Sequence, residues 1–265
     1  MKILLLKALL LLLIIYVISC IFLYCFQEKL IFFPTKLNKD YTFTFRQPFE
    51  ELHIPTNDGK LLDGLLFQSK QSKGLIFYLH GNAGALNSWG DVAARYTRLH
   101  YDVFIPDYRG YGKSEGKIES KAQLLNDVQT AYNIIKERYK ESNIIVLGYS
   151  IGTGPAAWLA AFNHPKLLIL QAPYYSLTDL MWHLYPIIPT VLLKYNFQTA
   201  EYLQHCRMPV VIFHGDKDEV IYYGSSVKLK AVMKSTDTLI TLHGQGHNGI
   251  TENLQYLGAI NKILH

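Results

Sequence analysis

Cysteine is scarce in this 265-residue chain, which has only Cys20, Cys25 and Cys206. Two of the three lie in an apolar N-terminal run, so Cys206 stands alone in the remainder. A disulfide framework within one soluble domain is therefore excluded, and so is a Cys-x-x-Cys metal site. Charge is also sparse, at 18% of residues, with a net value of +5. The lysines are scattered, and no basic-aromatic pattern suits a nucleic-acid partner. No Asn-x-Ser/Thr sequon occurs, which disfavours a glycosylated luminal domain. Neither internal repeats nor low-complexity runs are present beyond the N-terminus. What the chain does have is apolar surface to bury, 49% hydrophobic residues. With about 240 residues left after the N-terminal segment, one α/β domain is the natural expectation.

Residues 8–26 contain no charge. As a helix these nineteen residues span about 28 Å, close to the hydrocarbon thickness of a bilayer. The run exceeds the h-region of a secretory signal, so residues 1–28 read first as an uncleaved single-pass anchor. Two alternatives stand beside it. Val17-Ile-Ser-Cys20 resembles a bacterial lipoprotein cleavage site, which would leave a lipidated Cys20, and a cleaved signal peptide would leave a secreted chain. Lys2 and Lys7 on one side balance Lys29, Lys36 and Lys39 on the other, so the positive-inside rule does not fix the orientation. Leu30-Ile-Phe-Phe-Pro34 follows, suited to the membrane interface or to packing under residues 29–265.

Beyond it, Phe49–Pro55, the turn signal Asn57-Asp-Gly59 and Leu61–Phe67 predict a β-hairpin. From residue 75 strand and helix signals alternate. Strands are expected at Leu75–Leu79, Asp102–Pro106, Ile144–Leu147, Leu167–Leu170, Val210–His214 and Thr238–Leu242. Helices are expected over Ala122–Tyr139, after Ser150, and over Thr251–Ile263. This pattern implies a mainly parallel sheet with helices on both faces, with ligands at the carboxyl ends of its strands. Residues 173–204, broken by Pro173, Pro186 and Pro189 and rich in aromatic and aliphatic side chains, predict a short lid, about 174–204, over an acyl pocket. Arg109, in the polar loop after Pro106, is expected to be structural rather than catalytic, since a guanidinium can tie down loop carbonyls.

Gly148-Tyr-Ser-Ile-Gly152 follows one predicted strand and precedes a small-residue helix. That is the context of a nucleophile elbow, in which a serine sits on a strained turn with its hydroxyl clear of the sheet. Roughly one chain in ten of this length carries the pentapeptide by chance, so its company matters. Gly152-Thr-Gly-Pro-Ala-Ala157 also matches a dinucleotide fingerprint, but the next strand ends in Gln171 where a ribose-binding acid is required. Gly112-Lys-Ser114 resembles the end of a P-loop, but Asp107 stands where its first glycine belongs.

Ser150 is followed by candidate acids at Asp216 and Asp218 and candidate bases at His243 and His247, each just after a predicted strand. The order serine, acid, histidine is that of a hydrolytic triad. In it, Asp218 orients His247, His247 takes the Ser150 proton, and the backbone N–H groups of Ile151 and Asn82 receive an oxyanion. His243 and His247 are spaced like a zinc pair, but Gly244 replaces the required glutamate. No metal and no cofactor is expected.

His80-Gly-Asn-Ala-Gly84, Asp107-Tyr-Arg-Gly-Tyr-Gly-Lys-Ser-Glu-Gly116, Gly148-Tyr-Ser-Ile-Gly152, Ala172-Pro-Tyr-Tyr-Ser-Leu177, His214-Gly-Asp-Lys-Asp-Glu-Val220 and Gly246-His-Asn248 together resemble the α/β-hydrolase superfamily. The likeness is to membrane-anchored serine hydrolases of the Bem46-like and α/β-hydrolase domain-containing 13 and 17 group, and it covers nearly the whole chain. It implies an α/β-hydrolase fold with Ser150, Asp218 and His247 as catalytic residues. It also implies hydrolysis of esters or thioesters, with small-molecule or lipid-like acyl substrates. Depalmitoylation of membrane proteins is the activity of one branch. The pattern departs at Ile221, where a proline often follows the valine. Two alternatives are a peptidase or amidase using the same triad, and a catalytically silent membrane scaffold.

Overall fold

The computed structural model describes residues 1–265. In chain order, α1 (Lys2–Ile31) leads through a two-residue strand β1 (Phe33–Pro34) into the hairpin of β2 (Phe49–Pro55) and β3 (Leu61–Phe67). Next come β4 (Leu75–Leu79), β5 (Ala83–Gly84), α2 (Leu86–Trp89), α3 (Ala93–Thr97) and β6 (Asp102–Pro106). They are followed by α4 (Lys121–Arg138), β7 (Ile144–Tyr149), α5 (Thr153–Phe162) and β8 (Leu167–Gln171). Finally α6 (Leu177–Leu184) and α7 (Thr199–His205) precede β9 (Val210–Gly215), α8 (Gly224–Lys230), β10 (Thr238–Leu242) and α9 (Leu254–Leu264).

Eight strands form one sheet in the order β10-β9-β8-β7-β4-β6-β3-β2. Only the pairings of β3 with β2 and β6 are antiparallel. The chain steps one way from β4 to β6, crosses back over β4 to β7, and then moves outward to β10. The loops after β4 and β7 therefore meet where the winding reverses, the place at which such sheets bind ligands. Register brings the two loops together, since Leu79 pairs with Gly148.

The central strands read as unbroken apolar runs because both faces are covered. Side-chain alternation then decides which face each residue serves. Leu75, Phe77 and Leu79, with Ile144 and Val146, join α4, α5 and α7 in one core. Ile76 and Tyr78, with Ile145 and Leu147, join α3 and α9 in the other. Ser120 caps α4 by accepting from the Gln123 N–H. The last helix starts at Leu254 rather than Thr251, because the Asn253 side chain accepts from the Gln255 and Tyr256 N–H groups and fixes the first turn there.

The helix α1 is apolar on every side, with a mean hydropathy of 2.9 in its most apolar window and none of that window buried. It is long and apolar enough to cross a membrane, and it runs three residues past the expected boundary at 28. Its C-terminal end and the linker are bonded to the rest of the molecule. Phe32 is buried edge-on against Tyr195, while Leu30 and Phe33 stay exposed. Beside them β1 pairs in parallel with β5, Phe33 against Ala83 and Pro34 against Gly84.

Candidate active site

The turn between β7 and α5 holds Ser150 at φ +52°, a left-handed conformation uncommon for a residue with a side chain. Its neighbours make that turn possible. A Cβ on Gly152 would lie 2.3 Å from the Leu79 carbonyl oxygen, and one on Gly148 would lie 2.6 Å from the Gly152 carbonyl oxygen. No side chain fits at either glycine, so the elbow can press against the end of β4. Thr153 Oγ1 donates to the Ser150 carbonyl at 2.6 Å and Tyr174 donates to the Ile151 carbonyl at 3.1 Å, which hold the turn in place.

Ser150 Oγ lies 2.9 Å from His247 Nε2, and His247 Nδ1 lies 2.8 Å from Asp218 Oδ2. A carboxylate accepts only, so the proton sits on Nδ1 and leaves Nε2 free to accept from the serine hydroxyl. All three side chains are buried. Tyr149, the residue just before the serine, donates from its hydroxyl to the His247 carbonyl at 2.7 Å and fixes the histidine loop against β7.

Asp218 receives four hydrogen bonds. Oδ2 accepts from His247 and, at 3.2 Å, from His214 Nε2; Oδ1 accepts from the N–H groups of Val220 at 2.9 Å and Ile221 at 2.8 Å. Burial works to raise its pKa, but the bonds from His214 and His247 outweigh it and hold the carboxyl well below the usual range. The Ile221 N–H is a donor that the proline often found at this position lacks. His214 is fully buried. Its Nε2 also faces the Ile221 carbonyl at 2.9 Å, so Nε2 carries the proton and Nδ1 accepts from Ser226 at 2.7 Å. This support escaped the sequence reading, in which His214 stood only as part of a motif. The signal for it was a histidine four residues before the acid at the end of a buried strand.

The rival residues have another arrangement. His243 and Asp216 pair with each other at 3.0 Å on the surface. Both ring nitrogens of His247 are committed to Ser150 and Asp218, so the two histidines do not make a zinc pair. Gln171, at the position where a nucleotide site needs an acid, is buried and donates to the hydroxyls of Tyr96 and Tyr256.

Asn82 belongs to the loop after β4. Its side-chain oxygen accepts from the Phe33 N–H at 3.3 Å and the Tyr111 hydroxyl at 3.1 Å. Phe33, two residues after α1, thus braces this loop. Ile151 stands in the first helical turn after the elbow, where an N–H has no acceptor within its own helix. Arg109 is structural, as expected, but through other partners. It binds carboxylates, taking Asp58 with both terminal nitrogens and Asp127 with Nε at 2.5 Å, rather than carbonyls. It ties the β2–β3 turn to α4.

The side chains of Glu51, His53 and Asp63 converge on the hairpin with ligand atoms within 4.8 Å. Lys113 already pairs with Glu51 there. Burial and the adjacent Glu51 carboxyl push the Asp63 carboxyl up to about 8.

A profile of the Hydrolase_4 family, described as serine aminopeptidase, S33, matches residues 70–200. That stretch contains Ser150 and ends before Asp218 and His247. Protein bem46 of Schizosaccharomyces pombe is 31% identical over 217 residues, covering 76% of this chain and 72% of that protein. Alpha/beta hydrolase domain-containing protein 17B of Homo sapiens is 30% identical over 202 residues, covering 74% of this chain and 68% of that protein. Among solved structures, a Pyrococcus furiosus esterase matches with a TM-score of 0.71 at 16% identity, over 88% of this chain and 97% of that one. At that identity the likeness is one of fold.

Proposed function

Because the chain belongs to the α/β-hydrolase family that includes bem46 and α/β hydrolase domain-containing protein 17B, we propose that it is a membrane-anchored serine hydrolase acting on carboxylic esters or thioesters. The observation that carries this reading is the run of bonds from Asp218 through His247 to Ser150, with the serine on a strained turn. Such strain concentrates at functional sites.

In this reading Ser150 Oγ attacks the acyl carbonyl as its proton passes to His247 Nε2. The imidazolium that forms is stabilised by Asp218, which stays ionised because four donors already hold its charge. The carbonyl oxygen becomes an oxyanion facing the N–H groups of Ile151 and Asn82. Collapse of the tetrahedral species expels the alcohol or thiol, which takes the proton from His247, and leaves an acyl ester on Ser150. Water, deprotonated by the same histidine, then releases the acid. Residues 174–204 act as the lid, and their aliphatic and aromatic side chains favour an acyl chain. Residues 1–28 serve as the anchor, and residues 29–265 form the hydrolase domain.

The aminopeptidase named by the matching family profile favours a second reading, amide hydrolysis by the same three residues. A matched ester, thioester and amide of one acyl group separate the two. The ester reading predicts that the first two turn over far faster than the amide, and that Ser150→Ala lowers all rates by about 10⁴-fold or more. Preference for the amide would establish the peptidase instead. Unchanged turnover in a folded Ser150→Ala protein would end both.

A further inference from the structure

Between Asp179 and Lys194 the chain carries no Asp, Glu, Lys or Arg. Several of its apolar side chains there are uncovered, among them Trp182, Tyr185, Ile187 and Val191, the last at 86% exposure. Soluble surfaces rarely leave so many large apolar residues together and bare. Part of the backbone of this segment is paired internally, whereas the N–H groups of Ile187, Thr190 and Val191 have no acceptor there. Pro186 and Pro189 have no N–H, and the N–H groups of Tyr185, Ile188, Leu192 and Leu193 all donate to carbonyls within the segment. Non-helical backbone at membrane depth requires such internal pairing.

The helix α1 supplies further partners. The Tyr16 hydroxyl donates to the Ile187 carbonyl at 2.8 Å, and Gln27 Nε2 donates to the Leu192 carbonyl at 3.0 Å. The Lys194 N–H donates back to Gln27 Oε1 at 2.9 Å. These bonds fix the level of the segment along the helix. At the polar end, the Lys194 ammonium pairs with Glu28 at 3.2 Å. Tyr16 is twelve residues before Glu28, about 18 Å of helix, and lies inside the uncharged run 8–26. Ile187 is therefore level with the middle of that run.

We propose that residues 180–193 are a second membrane-embedded element, a re-entrant segment lying beside α1 in the hydrocarbon layer, with Glu28, Lys29 and Lys194 at the polar boundary. The occupant of the bare apolar face is lipid acyl chain. This rests on the reading of α1 as a membrane anchor, and it adds that the protein meets lipid through two elements. The segment begins six residues after Tyr174, which is bonded to the Ile151 carbonyl beside Ser150. The proposed lid thus runs from the elbow into the bilayer, so that an acyl chain carried in the membrane meets it from the lipid side.

The chain has three tryptophans, Trp89, Trp158 and Trp182, which makes bromolipid quenching a direct test. The full chain is placed, one copy per disc, in phosphatidylcholine nanodiscs with and without brominated acyl chains, beside Trp182→Phe. The proposal predicts that bromolipid removes most of the emission contributed by Trp182 and leaves that of Trp182→Phe little changed. Adding Leu12→Trp to the Trp182→Phe protein reports on α1. Quenching at 12 without quenching at 182 overturns the proposal and leaves the anchor intact. Quenching at neither position removes the anchor reading as well. Trp182 shielded from acrylamide but not quenched by bromolipid would place protein on this face, and would also overturn the proposal. Ile187→Trp in the Trp182→Phe background gives an independent probe at a residue that is 78% exposed, and it is predicted to be quenched most by bromines near the methyl ends of the chains.

Discussion

Asp218 shows how a single side chain joins stability to chemistry. Its carboxylate is held by four donors, and its pKa is lowered by the histidine bonds against the pull of burial. A carboxyl lowered in the folded state contributes stability that is present above its unfolded pKa and is lost as pH falls through that value toward the folded one. Asp218→Asn is therefore expected to flatten the loss of melting temperature below about pH 4. It is also expected to lower kcat by about 10⁴-fold while the fold persists, because the amide favours the wrong imidazole tautomer. Circular dichroism melts and turnover of one ester substrate check both outcomes. His214 is a positioning residue one bond further out. Replacing it with Phe removes a donor from Asp218, where a hydrogen bond to a charge contributes about 1.5–3 kcal/mol. The expected result is a fall in kcat of about 10- to 100-fold with KM nearly unchanged, whereas a merely structural role would move only the melting temperature.

The turn between β7 and α5 depends on close approach to another strand. Gly152→Ala would set a Cβ 2.3 Å from the Leu79 carbonyl and 2.7 Å from that of His80, forcing the ends of β4 and β7 apart. A loss of about 1–3 kcal/mol is expected from such overpacking, read as a lower denaturation midpoint together with reduced activity. Much at this scale was legible in the sequence. Short apolar runs bounded by turn signals mark the strands, and the pentapeptide in its strand–helix context marks the elbow. Local signals could not decide between Asp216 and Asp218, or between His243 and His247. Each pair flanks the same strand end, and the separations of 27 and 29 residues are nearly equal. The three-dimensional loops separate them, joining Asp216 to His243 at the surface and Asp218 to His247 beside Ser150. Arg109 is structural, as the sequence suggests, but its partners are hidden for a related reason. Its partners Asp58 and Asp127 lie 51 and 18 residues away, and no local pattern announces such a bond.

Across the whole molecule, α1 is bonded to the body on two sides. The linker after it braces Asn82 through Phe33 and pairs β1 with β5, while Tyr16 and Gln27 hold residues 187–194. None of these bonds has a sequence signal, since they join positions more than 45 residues apart. The proposed anchor keeps these bonds only where the N-terminal segment is retained, and that can be tested. Membranes washed with alkaline carbonate are expected to keep the protein, and its intact mass is expected to include residues 1–28. A chain beginning at a lipid-modified Cys20, or a shorter chain released into the wash, would replace the anchor with one of its alternatives. The central claim is that Ser150 is an activated nucleophile, and a fluorophosphonate probe applied to the detergent-solubilised full chain tests it most directly, because the probe reacts with an activated serine rather than an exposed one. The account predicts a single adduct mapped by mass spectrometry to Ser150, absent from Ser150→Ala and from His247→Ala. An adduct on another serine, or one undiminished in folded His247→Ala, would contradict it.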